Sequence, residues 1–165
     1  MRNAESVVIT PSIAGVLFSP WAMADIQQLA RASQDGKETG GVLLGFDATD
    51  TTPLTVTAAG DPGPHAQRSA SRFRRDLKHA QAIADAAWAL DRSLWIGDWH
   101  THPAGDPSPS TTDLAGYRAA LRAGDLPSFL SVILSPGARS GWRRPETRCW
   151  LVSVDSVQEI EPVSP

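Results

Sequence analysis

The chain has 165 residues, 41% of them hydrophobic and 20% charged, with a formal net charge of −3. That length and balance fit one folded domain, read as residues 1–165, and exclude wholesale disorder; the mild acidity excludes a global pull toward nucleic acid or anionic lipid. The single cysteine, Cys149, excludes an intramolecular disulfide and a thiolate-built zinc cluster.

The N-terminus carries no apolar core of signal-peptide length, and nowhere do eighteen apolar residues run together, so a soluble cytoplasmic protein with no membrane partner is expected. Residues 6–19 are mostly β-branched or aliphatic and read as one or two short strands around Pro11. Pro20 opens a helix in which Trp21, Ile26, Leu29 and Ala30 return at helical spacing, and Gly36 ends it. Residues 39–46 read as a buried strand, with 54–59 as its hairpin partner. Asp61-Pro-Gly-Pro breaks the pattern and starts a polar, arginine-rich stretch that runs to Arg75. A second helix follows over about 76–90, with Leu77, Ala80, Ile83, Ala84, Ala87 and Trp88 along one face. Residues 94–102 form the next strand. Pro103, Pro107 and Pro109 make the following segment a loop, and Ser110 caps a third helix to about 123. Strands at 129–134 and 148–154 complete the core, with a shorter one over 157–160. Such an order describes an α/β sandwich: a mixed β-sheet flanked by about three helices.

The chemistry gathers in Gly97-Asp98-Trp99-His100-Thr101-His102-Pro103. Side chains alternate along a strand, so His100 and His102 project from one face and Trp99 from the other. Two adjacent imidazoles suit a borderline-soft divalent metal, zinc by default, although such a pair near a strand end is also often only solvated or hydrogen-bonded. Ser110-Thr-Thr-Asp113 has two readings: an ordinary helix cap with an acid in the first turn, or a helix start that returns the Asp113 carboxylate to the histidines as third ligand. Three protein ligands would leave a fourth position for water, as in a catalytic site. Glu38, just before Thr39-Gly40-Gly41, is either a solvated charge at a strand start or the carboxylate that such a hydrolase needs as a base; the two glycines would let backbone and substrate come close to it. Asp35, Asp98 and Asp106 stand as rivals for that role.

The uninterrupted run His100-Thr-His102-Pro103, seven residues, then Ser110-x-x-Asp113 resembles the signature of the JAB/MPN (JAMM) zinc metallopeptidases. Upstream, Glu38-Thr-Gly-Gly-Val-Leu-Leu-Gly is similar to the glutamate segment of prokaryotic JAB domains, and the order of elements matches nearly throughout. The resemblance implies a cytidine-deaminase-like/MPN fold and one catalytic Zn2+ on His100, His102 and Asp113. It implies Glu38 as general base and later proton donor, and Ser110 as donor to the oxyanion. It also implies cleavage after the C-terminal glycine of ubiquitin or a ubiquitin-like protein.

A narrower resemblance rests on Gly60-Asp-Pro-Gly-Pro-His-Ala, Arg72-Phe-Arg-Arg-Asp76 and Ile96-Gly-Asp-Trp-His-Thr-His-Pro. These segments are similar to a bacterial group encoded beside ubiquitin-activating-like and conjugating-like proteins in antiviral defence islands. The expected substrate is then a ubiquitin-like protein or its conjugate, with the activating and conjugating proteins as further partners. Two other readings share the site: release of an amino acid from a sulfur-carrier protein in cysteine or cofactor synthesis, and a DNA-associated RadC-like protein. The latter group usually carries an extra N-terminal helical region, for which this chain has no room.

Arg68, Arg72, Arg74, Arg75 and Lys78 have three readings. They form a solvated loop and first helical turn with Phe73 docked on the core, an extended segment that pairs with the extended tail of a substrate, or a site for a few phosphates. No aromatic platform supports the last, so nucleic acid is not expected as a partner. Cys149 reads as a core residue, because a thiol nucleophile needs a histidine and the well-placed pair is committed to metal.

Overall fold

The computed structural model describes residues 15–124 and 126–163. Strand β1 (Val16–Phe18) leads into helix α1 (Pro20–Ala32), followed by β2 (Gly40–Phe46), β3 (Leu54–Ala59) and the short strands β4 (Gln67–Ser69) and β5 (Arg72–Arg74). Helix α2 (Leu77–Asp91) and β6 (Leu94–Thr101) come next, then α3 (Thr111–Gly124), β7 (Phe129–Gly137), β8 (Gly141–Val152), β9 (Val157–Ile160) and β10 (Pro162–Val163). The part of the expected first strand region before Gly15 lies outside the described residues.

Each helix begins on a side-chain cap that satisfies an otherwise free N–H. Ser19 accepts from Ala22 N at 3.1 Å with Pro20 in the first turn, Asp76 accepts from His79 N at 3.2 Å, and Ser110 accepts from Asp113 N at 3.1 Å. Helix α1 ends at Ala32, before Gly36, whose φ of +75° belongs to the loop that follows. Helix α2 ends on Arg92 in the left-handed region, its N–H reaching Trp88 O.

Among the described residues, eight strands form one sheet in the order β10-β1-β3-β2-β6-β7-β8-β9, and β4-β5 form a separate hairpin. β6 is therefore interior. It runs antiparallel to β2 and parallel to β7, and α3 is the crossover between the two parallel strands. Helix α1 covers one face: Ala22, Ile26 and Ala30 pack with Val16, Leu43, Val56, Trp99, Leu130 and Val132. On the other face α2 lays Ala80 and Ala84 against Val42 and Leu44, and α3 lays Tyr117 and Leu121 against Phe129 and Val152. Trp99 is fully buried under α1, as strand alternation requires, with its indole N–H donating to Gly60 O at 2.9 Å. Burial of each large core side chain contributes about 1.5–3 kcal/mol.

Several expectations need correction. Trp21 is 78% exposed and Leu77 64% exposed, so neither belongs to its helix's buried stripe; Ala22 and Ala80 take those places, and half-exposed Trp88 stacks under Arg92. Within the arginine-rich stretch, Gln67–Ser69 and Arg72–Arg74 pair as the β4–β5 hairpin rather than forming a solvated loop. β8 starts at Gly141, seven residues before the expected 148, because β7 and β8 continue as a hairpin past the sheet's apolar part.

Candidate metal centre

His100 is the penultimate residue of β6 and His102 directly follows the strand, where a parallel strand hands over to its crossover and side chains are free to meet above the sheet. The loop from Pro103 returns the chain to the start of α3, and the cap geometry there aims Asp113 back at the histidines. Ser110 N and Ser110 Oγ both donate to Asp113 Oδ2, at 2.8 and 2.6 Å, while Asp113 N donates to Ser110 Oγ. Ser110-x-x-Asp113 thus caps the helix and at the same time brings a carboxylate beside the histidines.

The three ligand atoms converge. His100 Nε2 lies 3.0 Å from His102 Nε2 and 3.6 Å from Asp113 Oδ2, and His102 Nε2 lies 3.4 Å from the same oxygen. Ligands at zinc–nitrogen and zinc–oxygen bond lengths on a tetrahedron are roughly 3.3 Å apart, so these spacings fit a small divalent ion. The donor chemistry also fits, and His100, His102 and Asp113 can hold a metal ion. Each ring has a partner for its second nitrogen. His102 Nδ1 donates to Asp106 O at 2.8 Å, and His100 Nδ1 meets Tyr117 Oη at 3.2 Å, which in turn accepts from Ser131 Oγ at 2.9 Å. In the tautomer with the proton on Nδ1, both Nε2 lone pairs are free to ligate. Sequence reasoning misses both: Tyr117 is signalled only by its i+4 spacing from Asp113, and Ser131 by nothing, because only the β6–β7 register sets it opposite Asp98.

Electrostatics agree with a cation-ready site. Burial, partly opposed by Asp113, pushes His100 below the ordinary histidine value. Burial also works against a charged His102, but its bonds to Asp113 and to Asp106 O raise it overall. Burial would raise Asp113, yet His100, His102 and Ser110 hold its carboxyl far below the usual range. Burial pushes Tyr117 up, so its hydroxyl stays neutral.

Glu38 arrives by register. Gly40 pairs with His100 across β2 and β6, and Thr101 N donates to Thr39 O at 2.8 Å; continuing that register sets Glu38 opposite His102. Its side chain is 8% exposed. Burial raises its carboxyl above the usual glutamate range, opposed by His102 and reinforced by Asp113. The rival carboxylates are engaged elsewhere: Asp35 with Arg68, Asp98 with Arg75, and Asp106 with Ser108 N. The space over Gly40 is taken by protein. A Cβ there would stand 2.8 Å from Phe73 Cε1, 2.9 Å from His100 Cβ and 2.3 Å from Trp99 O, so glycine is needed for the hairpin to close on the site. Gly41 likewise admits the backbone at Gly60. Cys149 is buried, with its thiol pushed up to about 12, and reads as core.

Beside the centre runs a cleft of about 530 Å³ between β5 and α3. Its walls include Phe73, Leu77, Trp95, Leu126 and Phe129, and it reaches His100 and Asp113. No helix among the described residues is long and apolar enough to cross a membrane.

Comparison with known proteins follows the same lines. Residues 22–153 match the family described as prokaryotic homologs of the JAB domain. A CD-NTase/cGAS isopeptidase of Pseudomonas aeruginosa is 31% identical over 124 residues, covering 73% of this chain and 77% of that protein. One from Enterobacter hormaechei is 29% identical over 100 residues, covering 61% of this chain and 55% of that protein, so the chain spans only about half of some relatives. A solution structure of a Desulfitobacterium hafniense protein superposes with a TM-score of 0.67 at 23% identity, over 90% of this chain and 91% of that one, a likeness of fold. The chain, with its mixed sheet and three helices, belongs to the prokaryotic JAB-domain family.

Proposed function

We propose that this protein is a zinc-dependent isopeptidase of the JAMM type that cuts after the C-terminus of a ubiquitin-like protein or releases a conjugated protein from its target, in the cytoplasm, within a bacterial antiviral conjugation system. The observation that carries the reading is the convergence of His100, His102 and Asp113 at tetrahedral spacing with a buried Glu38 set beside them. The relatives' name narrows the conjugated protein to a CD-NTase/cGAS-like one. That name favours deconjugation over work on a sulfur carrier or on DNA.

The chemistry that a bound zinc ion supplies here is Lewis acidity, which polarises the scissile carbonyl and makes water nucleophilic near neutral pH. Glu38 takes the proton of the attacking water and later gives it to the leaving nitrogen; its raised pKa suits that exchange. Ser110 donates to the developing oxyanion. Its hydroxyl proton is committed to Asp113 in the resting geometry, so this role requires the hydroxyl to turn about its Cβ–Oγ bond. The outer edge of β5 has no strand partner among the described residues and borders the cleft, which suits pairing with the extended tail of the substrate.

Metal analysis and cleavage of a CD-NTase/cGAS conjugate test the scheme. Glu38→Gln should keep zinc and lose about 10²–10⁴-fold in rate, whereas His102→Ala should lose the metal. A chelator should inhibit and thiol alkylation should not. Full activity in Glu38→Gln removes the base; inhibition by alkylation without inhibition by chelator removes the metallopeptidase.

A further inference from the structure

We infer that Arg75 is a positioning residue that clamps the β4–β5 hairpin, one wall of the cleft, onto the strand that carries the metal ligands. The consequence for catalysis rests on the reading above that this hairpin receives the substrate; the clamp itself does not.

Asp98 precedes His100 by two residues on β6 and so faces the same side. Its side chain is 2% exposed. One carboxylate oxygen accepts from the Trp95 indole N–H at 3.1 Å, and the other pairs with Arg75 Nη2. The guanidinium also lies over the Trp95 ring, 5.6 Å from its centroid. Arg75 is the residue immediately after β5, so this pair ties the end of the hairpin directly to β6. Of the stretch's other cations, Arg72, Arg74 and Lys78 are exposed, and Arg68 holds the far strand through Asp35 and Glu38 O. Only Arg75 reaches the floor of the cleft to meet a buried carboxylate.

Such a pair is a poor device for stability alone, since Asp98 gives up its water and Arg75 much of its own. What it adds over an apolar contact is direction: the guanidinium is held at once by a carboxylate through Nη2 and by an aromatic face. That is what the wall of a narrow cleft requires. Phe73, two residues before Arg75, rests over Gly40, the cross-strand partner of His100, so hairpin movement would alter the approach to the metal ligands. Arg75 therefore sets the width of the groove and acts on the reaction through the hairpin, without touching the reacting atoms.

The test uses the full chain loaded with zinc and its Arg75→Met, Arg75→Lys, Asp98→Asn and Arg75→Met/Asp98→Asn variants. Amide hydrogen exchange over residues 67–74 is read together with zinc content and steady-state cleavage of a conjugate. In Arg75→Met, exchange over 67–74 should quicken by about tenfold or more while β6 stays protected. Zinc content should hold, and KM should rise about tenfold with kcat within about twofold. Arg75→Lys should recover part of the protection. The double variant should stay loosened, because the clamp is gone even though no charge is orphaned. Wild-type protection in Arg75→Met, or its return in the double variant, overturns the clamp, as does a joint fall of zinc and kcat with the hairpin still protected. If Arg75→Met does not fold, Arg75→Lys and Asp98→Asn decide by the same exchange measurement. Failure of the unmodified protein to cut the conjugate would sink the functional reading alone, with the exchange comparison still deciding the clamp.

Discussion

Tyr117→Phe removes one oxygen and should weaken the metal centre without touching a ligand. Tyr117 Oη stands 3.2 Å from His100 Nδ1 and 2.9 Å from Ser131 Oγ, and all three residues are buried. His100 offers Nε2 to a metal only with its proton on Nδ1, and that N–H then needs an acceptor. Without Oη the loaded state keeps an unpaired buried donor, a cost of about 1–3 kcal/mol. The metal-free ring escapes much of this by moving its proton to Nε2, next to Asp113. The penalty therefore falls on metal binding and amounts to roughly a tenfold to hundredfold loss of affinity. Ser131 Oγ loses its partner in both states, which lowers overall stability; adding Ser131→Ala removes that second effect. Competition with a chromophoric chelator reads the affinity, and thermal unfolding of free and loaded protein reads the stability. Affinity within twofold of the unmodified protein would refute the argument that Tyr117 orients His100.

Gly40→Ala should cost about 1–3 kcal/mol, because the added methyl meets a ladder carbonyl at 2.3 Å that cannot move aside, and Tm should fall by roughly 3–10 °C; an unchanged melting curve would contradict the close approach of Phe73 to the sheet. Zinc affinity should fall as pH drops from about 8 to 6, since protons compete for Nε2 and metal-free His102 titrates above the ordinary value of 6.5. The sign follows from His102: protonation excludes the metal, so the loss begins on the alkaline side of the ordinary value. Calorimetric titration at several pH values reads it, and a flat affinity would remove His102 from the ligand set.

What the sequence made legible divides by the range of the interaction responsible. His100 and His102 share a face because of a period of two within one strand, a local property, and they stand together as expected. Asp113 is local too, but its spacing from Ser110 serves a helix cap equally well, so residue chemistry alone leaves it open; the geometry shows the cap and sets the carboxylate 3.4 Å from His102 Nε2. The helix faces at Trp21, Leu77 and Trp88 were misassigned for a related reason: periodicity counts apolar residues, while burial is decided by what lies opposite, and the neighbouring alanines fit closer to the sheet.

Glu38 and the hairpin depend on distant partners. Nothing near Glu38 in the chain places it beside His102; the β2–β6 register does, between residues more than sixty positions apart, and register is fixed by pairing rather than by composition. The β4–β5 hairpin is polar on both strands and has no apolar alternation to announce it. It is held by Phe73 over Gly40, by Arg68 on Asp35 and by Arg75 on Asp98, three contacts that exist only once the sheet has formed. Two of those contacts land within two positions of Glu38 or His100 along the chain. The wall of the cleft is thus fastened to the segments that carry the proposed base and metal ligands, so a shift of the hairpin changes the groove by which a substrate would reach them. Arg68 and Arg75, read from the sequence as part of one polar stretch, are the side chains that tie this wall to the segment before β2 and to β6.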